Sequence, residues 1–140
     1  MTNNHRIVSI VDDEMDITRL FQDAISGKVN GTSVVSFTNP LTALEHFEDN
    51  KEAYVLVISD LRMPELNGLD LLKSVKNLNA NVRTILTTAY EVDEDNKIEE
   101  YTKKGIIDLL LAKPVTIKRL CEEVSNMVRI QDFASHWIWI

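Results

Sequence analysis

The sequence predicts an α/β fold: a doubly wound parallel sheet of five strands with helices on both faces. Three observations predict it. Five short apolar runs recur along the chain, nearly continuous in the way that strands buried on both faces require. Short turns link these runs to stretches with apolar residues at helical spacing, the alternation that builds βα units. One run then ends in a carboxylate, in the segment Val57-Ile58-Ser59-Asp60-Leu61-Arg62-Met63-Pro64-Glu65-Leu66-Asn67-Gly68, around which the chain is organised. A carboxylate at the carboxyl end of a parallel strand sits where open α/β sheets collect their ligands. Taken alone, an aspartate there can simply end a strand.

Ile7–Val11 is β-branched and apolar and reads as the first strand. Asp12-Asp13-Glu14 stops it, and Ile17, Leu20, Phe21, Ala24 and Ile25 follow with the spacing of one helix face. Gly27 and Gly31 bracket the turn into a second strand, Ser33–Phe37. Asn39 is placed to cap the next helix and Pro40 to occupy its first turn, with Leu41, Leu44 and Phe47 as the inner stripe. The third strand, residues 54–58, leads to Asp60, where Pro64 forbids a continuing ladder and Asn67-Gly68 supplies turn chemistry. Gly68 opens a helix whose apolar face is Leu71, Leu72, Val75 and Leu78. Arg83–Thr88 is the fourth strand. Residues 92–104 are weakly amphipathic, with Val92, Ile98 and Tyr101 among many charges, which suits a thinly anchored, movable helix. Residues 106–111 read as the fifth strand, and Ile117, Leu120, Cys121, Val124 and Val128 as the inward face of a final helix.

At 140 residues the chain is one domain, sufficient for a single core. With 15 basic and 22 acidic residues its net charge is −7, which argues against a nucleic-acid footprint. The single cysteine, Cys121, falls on the inward face as a small hydrophobe and has no partner for an internal disulfide. No window approaches the roughly 20 apolar residues of a spanning helix, and the N-terminal run is too short for a signal peptide, so a cytoplasmic location without membrane association is expected. His5, His46 and His136 show no ligand spacing.

The run D-x-x-M-P-x-x-x-G after an apolar strand resembles the phosphoacceptor segment of response regulator receiver domains, the signalling modules of two-component systems. The resemblance covers roughly residues 6–129 and implies the flavodoxin-like strand order 2-1-3-4-5. It makes Asp60 the phosphoacceptor. Phosphoryl transfer to a carboxylate needs an in-line oxygen nucleophile, a divalent cation and fixed positive groups for the equatorial oxygens. By this resemblance Mg²⁺ is bound directly by Asp13, Asp60 and the backbone carbonyl of Arg62, with Asp12 acting through water and holding the lysine; the hard cation takes oxygen ligands and keeps several waters. The other reading of Asp-Asp-Glu is a solvated helix start favoured by the dipole. The resemblance also implies that the hydroxyl of Thr88 and the ammonium of Lys113, at the ends of strands four and five, bind phosphoryl oxygens. Thr87 is the neighbouring candidate, but the family's threonine precedes a small residue, here Ala89. The matching Lys-Pro bond is cis in receivers. Arg62 and Tyr90, two residues beyond Asp60 and Thr88, occupy the positions where receivers tune self-dephosphorylation.

Three features depart from the family pattern. Leu110 stands where receivers commonly carry an aromatic switch residue, so switching should pass mainly through Thr88 and the fourth helix, and Leu110→Ala should cost core stability rather than coupling. Gly105-Ile106-Ile107 is one residue longer than the usual Gly-Ala step. Residues 130–140 extend beyond a typical receiver; Met127, Ile130, Ala134 and Trp137 continue the helical period, with Phe133 and Ile138 beside them. The tail is expected to be helical through about His136 and to pack against a second copy or a partner, giving a receiver over 1–129 and an extension over 130–140.

The functional expectation is a stand-alone receiver, phosphorylated by a histidine kinase or phosphotransfer protein and signalling by binding an unidentified downstream protein. It would catalyse its own phosphoryl transfer and slow self-dephosphorylation without being a turnover enzyme. Retention of Asp12, Asp13, Asp60, Thr88 and Lys113 argues against a docking-only pseudo-receiver. A haloacid-dehalogenase-like phosphatase needs a second aspartate two residues after the nucleophile, where Arg62 stands and cannot act as general acid or base.

Overall fold

A computed structural model of the chain describes residues 6–89 and 96–138, with side chains through Gln131. The elements follow as β1 (Ile7–Val11), α1 (Met15–Lys28), β2 (Ser33–Phe37), α2 (Pro40–Asn50), β3 (Tyr54–Asp60), α3 (Gly68–Leu78), β4 (Arg83–Thr88), α4 (Lys97–Lys103), β5 (Leu109–Ala112) and α5 (Ile117–Ile138). The strands form one sheet in the order β2-β1-β3-β4-β5, and every neighbouring pair is parallel. The doubly wound architecture and the 2-1-3-4-5 order are those the sequence led us to expect.

Because successive side chains on a strand point to opposite faces, each central strand feeds two core layers. Val8 and Ile10 of β1 and Leu56 and Ile58 of β3 meet Phe21 and Ile25 of α1 and Leu120, Cys121, Val124 and Val128 of α5. Val11 and Val57 point the other way, to Phe47 of α2, Leu71, Leu72 and Val75 of α3 and Tyr101 of α4. Cys121 is buried, as its place on the inward face implied. The Asn39 side chain accepts from the amides of Leu41 (2.8 Å) and Thr42 (3.4 Å) with Pro40 opening α2, and Asn67 caps α3 through the Asp70 amide at 2.9 Å.

Several sequence assignments need correction. Gly27 lies inside α1, and the turn into β2 is made around Gly31 at φ +81°. Leu20, Leu41 and Leu78 are exposed rather than inward. The buried stripe of α1 is Thr18, Phe21 and Ile25, and that of α2 is Pro40, Ala43 and Phe47; Leu20 and Leu41 each lie one residue, about 100°, round from a buried position. Leu78 is the last residue of α3. Strand five starts at Leu109 because the amides of Ile106 and Ile107 donate to the Tyr101 carbonyl instead of joining the sheet. The fourth helix starts at Lys97, and Val92 lies outside the described residues. The reversal after β3 falls at Pro64–Leu66, where the Leu66 amide donates to the Pro64 carbonyl at 2.8 Å across Glu65 at φ +72°.

Leu110 is 42% exposed. Its neighbours Leu109 and Leu111 pack toward α5, so Leu110 points to the other side of β5, a sheet edge. The expectation that Leu110→Ala would cost core stability is therefore withdrawn. α5 passes residue 129 without interruption and ends at Ile138; the expected contacts of Phe133, Ala134, Trp137 and Ile138 lie outside the described side chains.

Candidate functional site

Parallel strands carry their carboxyl ends to one edge, and that edge gathers residues distant in sequence. Asp12 follows β1, Asp60 ends β3, Thr88 ends β4 and Lys113 follows β5. One carboxylate oxygen from each of Asp12, Asp13 and Asp60 lies within 4.8 Å of the other two. Asp12 and Asp60 are buried and Asp13 is exposed. The Lys113 ammonium sits 2.9 Å from Asp60 Oδ1 and 3.3 Å from Asp12 Oδ2. The other Asp12 oxygen accepts from the Glu14 amide at 2.9 Å, which fixes that carboxylate as the chain turns into α1.

The electrostatics follow from this crowding. Burial pushes the Asp60 carboxyl above its usual range and the charge of Asp12 adds to the rise, against hydrogen bonds from Lys113 and the Leu61 amide. Burial also works against the Lys113 ammonium, but the hydrogen bond to Asp60 and the charges of Asp12 and Asp60 outweigh it and leave its pKa raised. Two buried carboxylates with one ammonium between them leave negative charge in excess, and an oxygen-preferring cation fits that donor set.

The backbone around Asp60 is held from both sides. The Leu61 amide donates to the Thr87 carbonyl (2.9 Å), and the Gly68 amide donates to the Leu61 carbonyl (2.8 Å). That second bond folds the start of α3 so tightly onto β3 that a Cβ on Gly68 would stand 2.2 Å from the Asp60 carbonyl oxygen. Sequence reasoning took Gly68 for a turn residue and missed this approach. The sequence gives the residue type that such an approach demands but not the neighbour that demands it. The Ser59 hydroxyl, also unnoticed in the sequence, donates to the same Asp60 oxygen at 2.9 Å.

The edge separates the two threonines. Thr87 is buried, its hydroxyl donating to the Ser59 carbonyl at 3.5 Å. Thr88 is half-buried at the tip of β4, its hydroxyl donating to the Ala89 carbonyl at 3.0 Å. The Thr88 carbonyl accepts the Lys113 amide (2.8 Å), which seats the lysine beside the strand tip, and the Lys113-Pro114 bond is cis. Arg62 is exposed in the loop after Asp60, and Tyr90 lies outside the described residues. The structure thus brings together Asp12, Asp13, Asp60 and Lys113, with Thr88 on the adjoining strand. No described helix is long and apolar enough to cross a membrane.

The family model for the response regulator receiver domain matches residues 8–125. Sporulation initiation phosphotransferase F of Bacillus subtilis is 30% identical over 129 residues, covering 92% of this chain and 98% of that protein. The polar-differentiation response regulator DivK of Brucella anthropi is 26% identical, with 85% and 93% covered. Against the transcriptional regulatory proteins ZraR of Klebsiella oxytoca and the CpxR homolog of Haemophilus influenzae, the chain spans only 24% and 49% of the relative's length. The crystal structure of a response regulator receiver domain protein from Clostridium thermocellum superposes with a TM-score of 0.80 at 27% identity, with 93% of this chain and 98% of that one covered. With most of its length matched by the family model and the fold shared with that structure, this chain belongs to the response regulator receiver domain family of two-component systems.

Proposed function

We propose that the chain is a phosphoacceptor module, taking a phosphoryl group on Asp60 from a histidine kinase or phosphotransfer protein and signalling by binding a downstream protein according to its phosphorylation. The observation that carries this is the Asp60 carboxylate at the tip of β3, with the Lys113 ammonium 2.9 Å away and Asp12 and Asp13 alongside. A carboxylate oxygen of Asp60 attacks phosphorus as the P–N bond of the donor phosphohistidine breaks, and the imidazole leaves with the electron pair. Lys113 and the Thr88 hydroxyl hold two phosphoryl oxygens. Asp13, Asp60 and the Arg62 carbonyl would hold Mg²⁺ directly, with Asp12 acting through water; the cation would neutralise charge on the transferred group. Water later hydrolyses the aspartyl phosphate slowly, so the chain acts on itself and is not a turnover enzyme. Its place is the cytoplasm, without nucleic-acid or membrane binding. The test is labelling by acetyl phosphate with and without Mg²⁺, read by intact mass: one phosphoryl group on wild type and none on Asp60→Asn supports the reading, and equal labelling of both overturns it.

Three further expectations arise here. Mg²⁺ should raise the melting temperature by a few degrees, because it offsets the repulsion between Asp12 and Asp60, and Asp13→Asn should abolish that shift; a melting temperature indifferent to Mg²⁺ in wild type would contradict a cation site. Arg62 and Tyr90 are long or bulky groups proposed to flank the path of the hydrolytic water and prolong the phosphorylated state. Arg62→Asn combined with Tyr90→Glu should speed dephosphorylation several-fold, and faster decay in wild type than in the double variant would reject the shield. The tail is proposed to pack against a second copy or a partner, continuing from Ile130, which is exposed. Truncation after Arg129 should leave phosphorylation intact and alter sedimentation; monomeric behaviour and equal partner binding by both proteins would remove the interface.

A further inference from the structure

Ser59 is wholly buried one residue before the proposed nucleophile. Alternation along β3 turns its side chain with Val57 toward the layer of α2 and α3, and turns Asp60 the opposite way. A buried serine has several carbonyls within reach along its own strand, and this one donates to the Asp60 carbonyl at 2.9 Å. The choice gains meaning from where β1 stops. The Leu61 amide donates to Thr87 of β4, so the carbonyl of the same trans peptide, that of Asp60, faces the β1 side. There the register closes with Val11 opposite Ser59, and the next amide, that of Asp12, donates to the Phe37 carbonyl (3.1 Å) on the far side of β1. The Asp60 carbonyl thus lies past the last β1–β3 pair, and Gly68 of α3 closes over the same oxygen. A carbonyl buried without a donor is costly, and the Ser59 hydroxyl supplies one from within the strand.

One planar peptide joins Asp60 to Leu61, and both of its polar atoms are held. Its N–H is bound to the Thr87 carbonyl at 2.9 Å, and its C=O to the Ser59 hydroxyl. The Thr87 hydroxyl, itself buried, donates back to the Ser59 carbonyl at 3.5 Å and ties the two strand ends together. A rigid plane held at both edges fixes ψ of Asp60. With φ set by the strand, that fixes the Cα–Cβ direction and so the aim of the carboxylate.

We infer that Ser59 is a positioning residue for phosphoryl transfer: its hydroxyl holds the Asp60–Leu61 peptide and thereby the angle at which the Asp60 carboxylate meets the donor phosphorus. This rests on the phosphoacceptor reading above and adds a residue whose side chain points away from the reacting carboxylate. The attacking oxygen must come in line with the leaving group, and a misplacement of about 1 Å costs on the order of a hundredfold in rate. Loss of the Ser59 hydroxyl should cost less, about tenfold, because Thr87 still holds the other edge of the peptide.

The test follows the full chain through two readouts: the rate of labelling by acetyl phosphate with Mg²⁺, by intact mass, and hydrogen exchange of the Leu61 amide relative to that of Leu56 in the middle of β3, by NMR without phosphodonor. Ser59→Ala should label about tenfold more slowly and exchange Leu61 several-fold faster relative to Leu56. Ser59→Thr, which keeps the hydroxyl, should restore both. Ile25→Val trims the core at α1, away from the strand tips, and should leave both at wild-type values even where it lowers stability. An alanine variant that labels at the wild-type rate, or labels slowly with an unchanged Leu61 ratio, would overturn the role of Ser59. So would a threonine variant as slow as alanine, or equal slowing in Ile25→Val, which would make the effect one of general stability. Wild type that takes no phosphoryl group, or Asp60→Asn that takes one, would instead reject the phosphoacceptor reading, and the role of Ser59 with it.

Discussion

Replacing Gly68 by alanine is expected to destabilise the fold by about 3 kcal/mol, the upper part of the range for overpacking. The added Cβ would lie 2.2 Å from the Asp60 carbonyl oxygen, 3.0 Å from its carbonyl carbon and 2.8 Å from Leu86 Cδ1. The leucine can rotate away. The Asp60 backbone cannot, because Asp60 belongs to β3 and the next amide, that of Leu61, is bonded to Thr87. Either α3 lifts, breaking the bond between the Gly68 amide and the Leu61 carbonyl, or the end of β3 shifts. Both disturb the nucleophile, so the variant that remains folded should also label more slowly. Urea unfolding measures the first effect, and a loss below about 1 kcal/mol would show that the contact relaxes more easily than a backbone clash should.

Lys113→Met should slow labelling of Asp60 by about a hundredfold, the scale of losing one fixed donor to a developing charge. The same substitution removes the hydrogen bond that most opposes the rise of the Asp60 carboxyl, which should therefore move higher still. A raised Lys113 contributes stability below the ordinary lysine range, and that contribution is lost as pH rises through its folded value. A raised Asp60 likewise favours the fold while protonated and costs stability once pH passes its folded value. At neutral pH the Met variant should then be less stable than wild type without Mg²⁺, with the deficit narrowing toward acid pH as Asp60 protonates. A variant labelled as fast as wild type would remove Lys113 from the phosphoryl site.

Most of the frame was legible because the signals were local. Asn39-Pro40 starts a helix by its own chemistry, and apolar runs of five to seven residues have few places to go but the interior of a parallel sheet. The carboxylates and the lysine were legible because strand ends in such a sheet share one edge, so Asp12, Asp60 and Lys113 had to meet if the strands were assigned correctly. What escaped depended on neighbours. Helical spacing marks an apolar face only to within about one residue, and Leu20 and Leu41 fell on the wrong side of that margin. Leu110 carries the right residue type for a core and the wrong position, on an edge strand. The beginning of β5 was hidden because the amides of Ile106 and Ile107 choose the Tyr101 carbonyl, a contact that no propensity records. Asp108 drew no attention within the fifth apolar run, although it binds Lys76 and Thr84, 32 and 24 residues away in sequence. Glu65, at φ +72°, gave no warning at all, since glutamate is not a residue that turns of that kind prefer.

Asp60 is the residue proposed to accept the phosphoryl group. Borohydride reduces an aspartyl phosphate to homoserine and leaves free carboxylates untouched, so it marks the acceptor permanently. The chain would be treated with acetyl phosphate and Mg²⁺, reduced, digested and sequenced by mass spectrometry. Homoserine is expected at position 60, dependent on Mg²⁺, with Asp12 and Asp13 unmodified. Homoserine at either of those positions, or a wild-type protein in which position 60 remains aspartate, would contradict it.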